Sequence, residues 1–163
     1  MPPCSAVRRM AEVLTGYWHY DRVHFSLRTG SEADVPALLG LWQEAAENNS
    51  RPPDTGEAVT ALLNRDPEAL IIAEHDGTLV GSIIAGWDGW RYHLYRLAVR
   101  PGWRRQGVGS ALLDAAENRL IAMGATRIDA MVLDTNDLGQ NMWRARGYSP
   151  QGDWRRWVKR CRT

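Results

Sequence analysis

Two β-rich runs, EALIIAEH (68–75) and TLVGSIIAGW (78–87), are separated only by Asp76-Gly77. An Asp-Gly pair between such runs is a strong hairpin signal, because both turn positions need positive φ. A third run, RYHLYRLAV (91–99), follows after DGW and extends the hairpin to three strands. Every other element has to pack around this sheet. Upstream, HFSLRTG (24–30) alternates like a strand, and Ser31 with Asp34 forms a weak capping box. Val35, Leu38, Leu39 and Trp42 then share one helical face. NNSRPPDTG (48–56) is a loop by its Pro, Asn and Gly content, and a short helix follows over about 57–64.

Downstream, Leu112, Leu113, Ala116, Leu120 and Met123 recur at three- and four-residue intervals, and Gly124 ends that helix. TRIDAMVLDT (126–135) reads as a strand, 138–146 as a helix and DWRRWVKR (153–160) as a last strand. The order is β-α-α-β-β-β-α-β-α-β, an α/β fold with a mixed sheet (α+β in its segregation of elements). Residues 1–23 show no period and read as an N-terminal extension, leaving 24–163 as a single domain.

Composition excludes several classes. A net charge of +1 gives no global basic field for nucleic acid, and no apolar run is long enough for a membrane span. The N-terminus lacks the apolar core of a signal peptide, which points to a cytoplasmic protein. Cys4 and Cys161 read as unpaired thiols, and His19, His24, His75 and His93 are too scattered for a metal site.

The turn RPGWRRQGVGSALL (100–113) joins the third strand of the hairpin sheet to the long helix. Amides at a helix start lack intrahelical partners and carry the positive end of the dipole. Gly107 and Gly109 let a ligand lie against the main chain, and Arg104 and Arg105 add fork-shaped donors. A phosphate or pyrophosphate suits such a nest; a purely structural turn is the competing reading. A Rossmann fingerprint is excluded by Leu112, and a P-loop by the absence of Gly-Lys-Ser/Thr.

The arrangement Arg104-x-x-Gly107-x-Gly109 after a strand resembles the acetyl-CoA-binding motif of the GNAT superfamily of N-acetyltransferases. A second motif matches at the family's spacing: Asn136, Gly139, Met142, Trp143 and then Gly147-Tyr148. The resemblance spans roughly 25–160 and extends to the element order. It implies that Leu97, Ala98 and Val99 pair with the pantetheine arm, and that the main chain of Arg105, Gln106, Gly107, Val108, Gly109 and Ser110 holds the pyrophosphate. Arg104 adds charge beside it, and Asn136 and Trp143 flank the arm. The thioester would lie in a splayed gap between strands 91–99 and 126–135, with the Val99 N–H as oxyanion donor.

Direct transfer to an amine requires the amine to be neutral, yet a lysine-like amine is neutral in about one molecule in a thousand at pH 7. Histone-type relatives place a glutamate six residues before the strand-ending Val; here that position is His93. Strand alternation puts His93, Tyr95, Leu97 and Val99 on one face. His93 is therefore the candidate base, against a reading in which it only packs among Tyr92, Tyr95 and Trp90; Asp134, Glu44 and Asp54 are weaker candidates. Many relatives carry a tyrosine acid seven residues after the Asn, where this chain has Trp143. An indole N–H donates a hydrogen bond but supplies no proton in this range. Tyr95, Tyr148 or water would stand in, while Trp143 either fills core space or walls the cofactor slot.

Glu44, Glu47, Asp54 and Glu57 could attract an amine, or form only a solvated surface. The basic-aromatic stretch 154–162 reads as an amphipathic strand, with its tryptophans available to a homodimer, rather than as a nucleic-acid site. The resemblance implies an acetyl-CoA-dependent N-acetyltransferase acting on a small-molecule or peptidyl amine without a metal. The alternative, motivated by Trp143, is an acyl-CoA-binding sensor without turnover.

Overall fold

The computed structural model describes residues 24–45, 52–153, 155–159 and 161. The extension 1–23, Cys4, Glu47, Trp154 and Arg160 lie outside them. The chain divides into two compact units, one ending at Met131 and one beginning at Val132.

The first unit is built on a five-stranded sheet in the order β1 (Ser26–Thr29), β2 (Leu70–His75), β3 (Thr78–Trp87), β4 (Tyr92–Val99), β5 (Ile128–Ala130). Neighbours are antiparallel except β4 and β5, which are parallel and therefore need the crossover helix α3 (Val108–Ala122). Helices α1 (Val35–Glu44) and α2 (Gly56–Arg65) precede β2. The β2–β3 turn has positive φ at both Asp76 and Gly77, as an Asp-Gly hairpin demands.

Covering both faces of the sheet explains why β3 reads as a continuous apolar run: Leu79 to Ala85 are all buried. Leu38, Leu41 and Trp42 of α1 pack with Leu70, Ile72 and Ile84 on one face. On the other, a Cβ at Gly81 would lie 2.9 Å from Leu112 and 3.0 Å from Val108 of α3. That glycine is what lets the helix seat so close to the strand.

The edge is pinned by charge. The Arg28 fork binds both oxygens of Asp34 at 2.7 and 2.8 Å, and its Nε donates to Glu74 at 2.8 Å. Asp34 also accepts from the Ser31 N–H and hydroxyl, so the expected Ser31/Asp34 pairing forms. The Arg28 fork holds the Asp34 carboxyl at a pKa of about 2, from an ordinary 3.8. Because the folded value is the lower one, this stabilisation is complete above pH 3.8 and disappears as pH falls through about 2. The difference corresponds to at most about 2 kcal/mol, reduced by solvent screening at the half-exposed Arg28. Asp34→Asn should therefore lower stability to urea at pH 7 and flatten its dependence between pH 4 and 2. An unchanged acid profile would show that the pair contributes nothing.

Candidate functional site

The turn after β4 is shaped by its main chain. A single 3-10 turn, Pro101–Trp103, is followed by Arg104 in extended conformation, Arg105 at φ 62° and Gly107 at φ 85°. Gly107 is the N-cap of α3, and no side chain caps the helix. The amides of Val108, Gly109 and Ser110 thus open α3 without intrahelical acceptors. Side chains brace the turn from outside: Gln106 Nε2 donates to the Gly102 carbonyl at 2.7 Å, and Arg104 Nε to that of Val99 at 3.2 Å. Trp103 lies against the His75 ring, 4.7 Å between centroids. Two left-handed positions beside an uncapped helix start make a concave row of donors suited to an anion.

The strand leading into this turn is longer than its β5 partner. Among the described residues, pairing of β4 with β5 runs through Tyr92, His93 and Leu94, and Leu97 to Val99 lie beyond it. The second strand expected over 126–135 is correspondingly short. Just past the last pair, β4 bulges. Ser82 lies opposite Ala98 but Ile84 opposite Tyr95, which leaves an extra residue on β4; Arg96 sits at φ 52°. That conformation costs an L-residue about 1–2 kcal/mol.

The bulge corrects the expected alternation. Residues opposite each other share a face, so Tyr95 with Ile84 and Ala98 with Ser82 lie on the face covered by α1. Val99, opposite Gly81, lies on the α3 face. His93 and Tyr95 remain together, with ring centroids 5.6 Å apart, but Leu97 and Val99 do not continue their row. Gly86, opposite His93, leaves room for the Tyr95 ring, which would come within 3.2 Å of a Cβ there.

His93 is three-quarters buried, and its Nε2 lies 3.9 Å from Asp88 Oδ2. Asp88 accepts from the Arg91 and Trp90 amides at 2.7 and 2.8 Å, which hold its carboxyl below the usual carboxylate range. It therefore stays an anion beside the imidazole. Glu44 and Asp54, considered as bases or amine lures, are engaged in ion pairs with Arg100 and Arg96 respectively. Glu57 stands in the first turn of α2.

In the second unit, the Asn136 side chain caps α4 (Asp137–Ala145), with Oδ1 accepting from the Gly139 N–H at 2.8 Å. Gly139 is required here, since a Cβ would run into the Asn136 amide. The helix ends in a Schellman turn: Tyr148 N–H bonds to the Trp143 carbonyl and Gly147 N–H to that of Arg144, with Gly147 at φ 85°. The Trp143 and Tyr148 rings meet edge-on at 4.8 Å, the apolar contact that accompanies this motif. The Asn-to-aromatic spacing is thus also a complete set of helix-capping signals. The last strand expected over 153–160 does not form among the described residues, where 155–159 are not in a strand and Trp157 and Val158 are exposed. Its alternation had no neighbouring strand to satisfy it there.

Sequence reasoning did not single out Arg96 or Ser82, and placed Trp42 only on the apolar face of its helix. A bulge has no signature in one strand's sequence, because it is a mismatch between two.

A sequence profile described as the acetyltransferase (GNAT) family matches residues 35–148. An acetyltransferase from Yersinia pestis (strain Pestoides F) is 34% identical over 126 residues, covering 77% of this chain and 88% of that protein. Two solved structures share the fold. Ard1 from Thermoplasma volcanium superposes with a TM-score of 0.72 at 22% identity, covering 80% of this chain and 86% of that one. The PaiA N-acetyltransferase from Thermoplasma acidophilum, solved in complex with coenzyme A, has a TM-score of 0.70 at 18% identity, covering 79% and 92%.

Proposed function

Since the chain belongs to the GNAT acetyltransferase family, we propose that it works as an acetyl-CoA-dependent N-acetyltransferase on a primary amine of a small molecule or peptide. The observation that carries this reading is that β4 continues past its last β5 pair at Leu94 directly into the donor-rich turn at the start of α3. An extended pantetheine arm needs such a strand, and a pyrophosphate needs such a turn. Acetyl-CoA supplies the activated acyl group, as a thioester with a fair leaving group.

The chain's own residues divide the rest. Main-chain groups of Leu97, Ala98 and Val99 hold the arm, and the amides from Arg105 to Ser110, with Gln106 bracing them, hold the pyrophosphate beside Arg104. The Val99 N–H donates to the carbonyl oxygen as it gains charge. His93 takes a proton from the amine, directly or through water, with the Asp88 carboxylate 3.9 Å from its Nε2. Tyr95, next to His93, is the candidate proton donor to the thiolate. Asn136 and Trp143 flank the arm.

We take 24–163 as one acetyltransferase domain behind an extension of 23 residues; the family match runs across the division at Met131. A cytoplasmic homodimer completes the reading, with the exposed Trp157 and Val158 offering apolar surface to a second copy. Among the described residues, no helix is long and apolar enough to cross a membrane.

Thiol release from acetyl-CoA across a panel of amines tests the activity. At least one amine should provoke release, and Trp143→Tyr should raise kcat by less than about a hundredfold, since the thiolate already leaves readily. Tight coenzyme A binding with no release by any amine would leave only the sensor reading standing.

A further inference from the structure

We propose that Arg96 is a positioning residue, held by Asp54, Trp42 and Ser82, that locks the β4 bulge and so sets how β4 beyond Leu94 meets acetyl-CoA. The inference rests on the acetyl-CoA reading above. Its basis is that a disfavoured main-chain conformation is gripped from several sides at once. Arg96 Nε donates to Asp54 Oδ1 at 2.7 Å, and its Nη2 bonds the same oxygen. The guanidinium lies over the Trp42 ring, 5.6 Å from the centroid. The main chain is held separately: the fully buried Ser82 hydroxyl donates to the Arg96 carbonyl at 3.3 Å and accepts from Trp42 Nε1 at 2.9 Å.

Side chain and carbonyl of one residue are thus tied to α1, β3 and the segment before α2. A surface salt bridge needs none of this. The grip has a geometric consequence. The bulge falls between the last β5 pair at Leu94 and the residues Leu97 to Val99, and it decides that Ala98 and Val99 face as they do. A loosened bulge would have to be ordered each time a ligand paired with that part of β4, which weakens binding.

The test uses Arg96→Gly, which keeps the left-handed φ accessible while removing fork and stack, and Asp54→Asn, which keeps an oxygen acceptor while removing charge. Coenzyme A binding is measured by titration calorimetry, and steady-state kinetics give separate KM values for acetyl-CoA and the amine. Arg96→Gly should raise the Kd for coenzyme A and the KM for acetyl-CoA about tenfold, with the amine KM within about twofold. Asp54→Asn should shift the same two constants about threefold. A lowered Tm with both constants unchanged would reduce the cluster to a stabilising role and overturn the proposal. A change confined to the amine KM would overturn it too, by making Arg96 an acceptor contact. Wild-type protein that bound no coenzyme A would instead remove the acetyl-CoA reading itself. Should Arg96→Gly not fold, Asp54→Asn alone decides.

Discussion

Gly107→Glu is expected to weaken coenzyme A binding by more than about a hundredfold, the largest single effect this structure implies. Placing like charges together costs several kcal/mol, and about 2.7 kcal/mol already accounts for a hundredfold. The new carboxylate would itself suit the uncapped start of α3, so it would compete as a built-in occupant of the anion's place. A second effect is conformational: φ 85° costs a side-chain-bearing residue about 1–2 kcal/mol of stability. Gly107→Ala separates the two. It carries the conformational cost without the charge, so it should lower Tm similarly while binding falls far less. Calorimetric titration of both variants with coenzyme A checks the expectation, and undiminished affinity in Gly107→Glu would falsify the assignment of the turn.

The second large effect concerns His93. Removing a positioned base typically costs about a hundred- to ten-thousandfold. His93→Ala should therefore lower kcat about a hundredfold at pH 7, with the KM for acetyl-CoA unchanged. The deficit should narrow as pH approaches the acceptor's own pKa, because more of the amine is then neutral without help. Steady-state rates from pH 6 to 10 with a single amine distinguish this from a packing defect, which would depress rates evenly across the range. A kcat within about twofold of wild type at pH 7 would move the base elsewhere.

Much of the fold was legible because its signals are local. Asp76-Gly77 dictated a turn with two positive φ values, the heptad-like leucines from Leu112 to Leu120 dictated α3, and Gly124 stopped it. Ser31 with Asp34 did the same upstream, while Asn136 and Gly147, read only as motif positions, turn out to cap α4. The anion nest was legible for the same reason, since its glycines and arginines are contiguous in the chain. Pairing-dependent features were not. The β5 run of apolar residues is longer than the strand it forms, because a strand persists only where it finds a partner. The alternation expected for the 153–160 stretch likewise found none among the described residues.

Charges behaved in the same way. Glu44 and Asp54 look from the sequence like free acids near an acceptor, but their partners Arg100 and Arg96 lie 56 and 42 residues away. No local pattern could have joined them.

The sequence by itself determined the hairpin turn, the helices and the donor-rich turn, since each depends on a few consecutive residues and their φ preferences. Tertiary structure alone decided which side of β4 each site residue occupies. One extra residue at Arg96, visible only against the register of β3, turns Ala98 and Val99 over while His93 and Tyr95 stay where they were. Side chains alternate with period two, so a one-residue slip reverses every face beyond it. That reversal puts the His93 and Tyr95 side chains on the α1 face and the Val99 side chain on the α3 face.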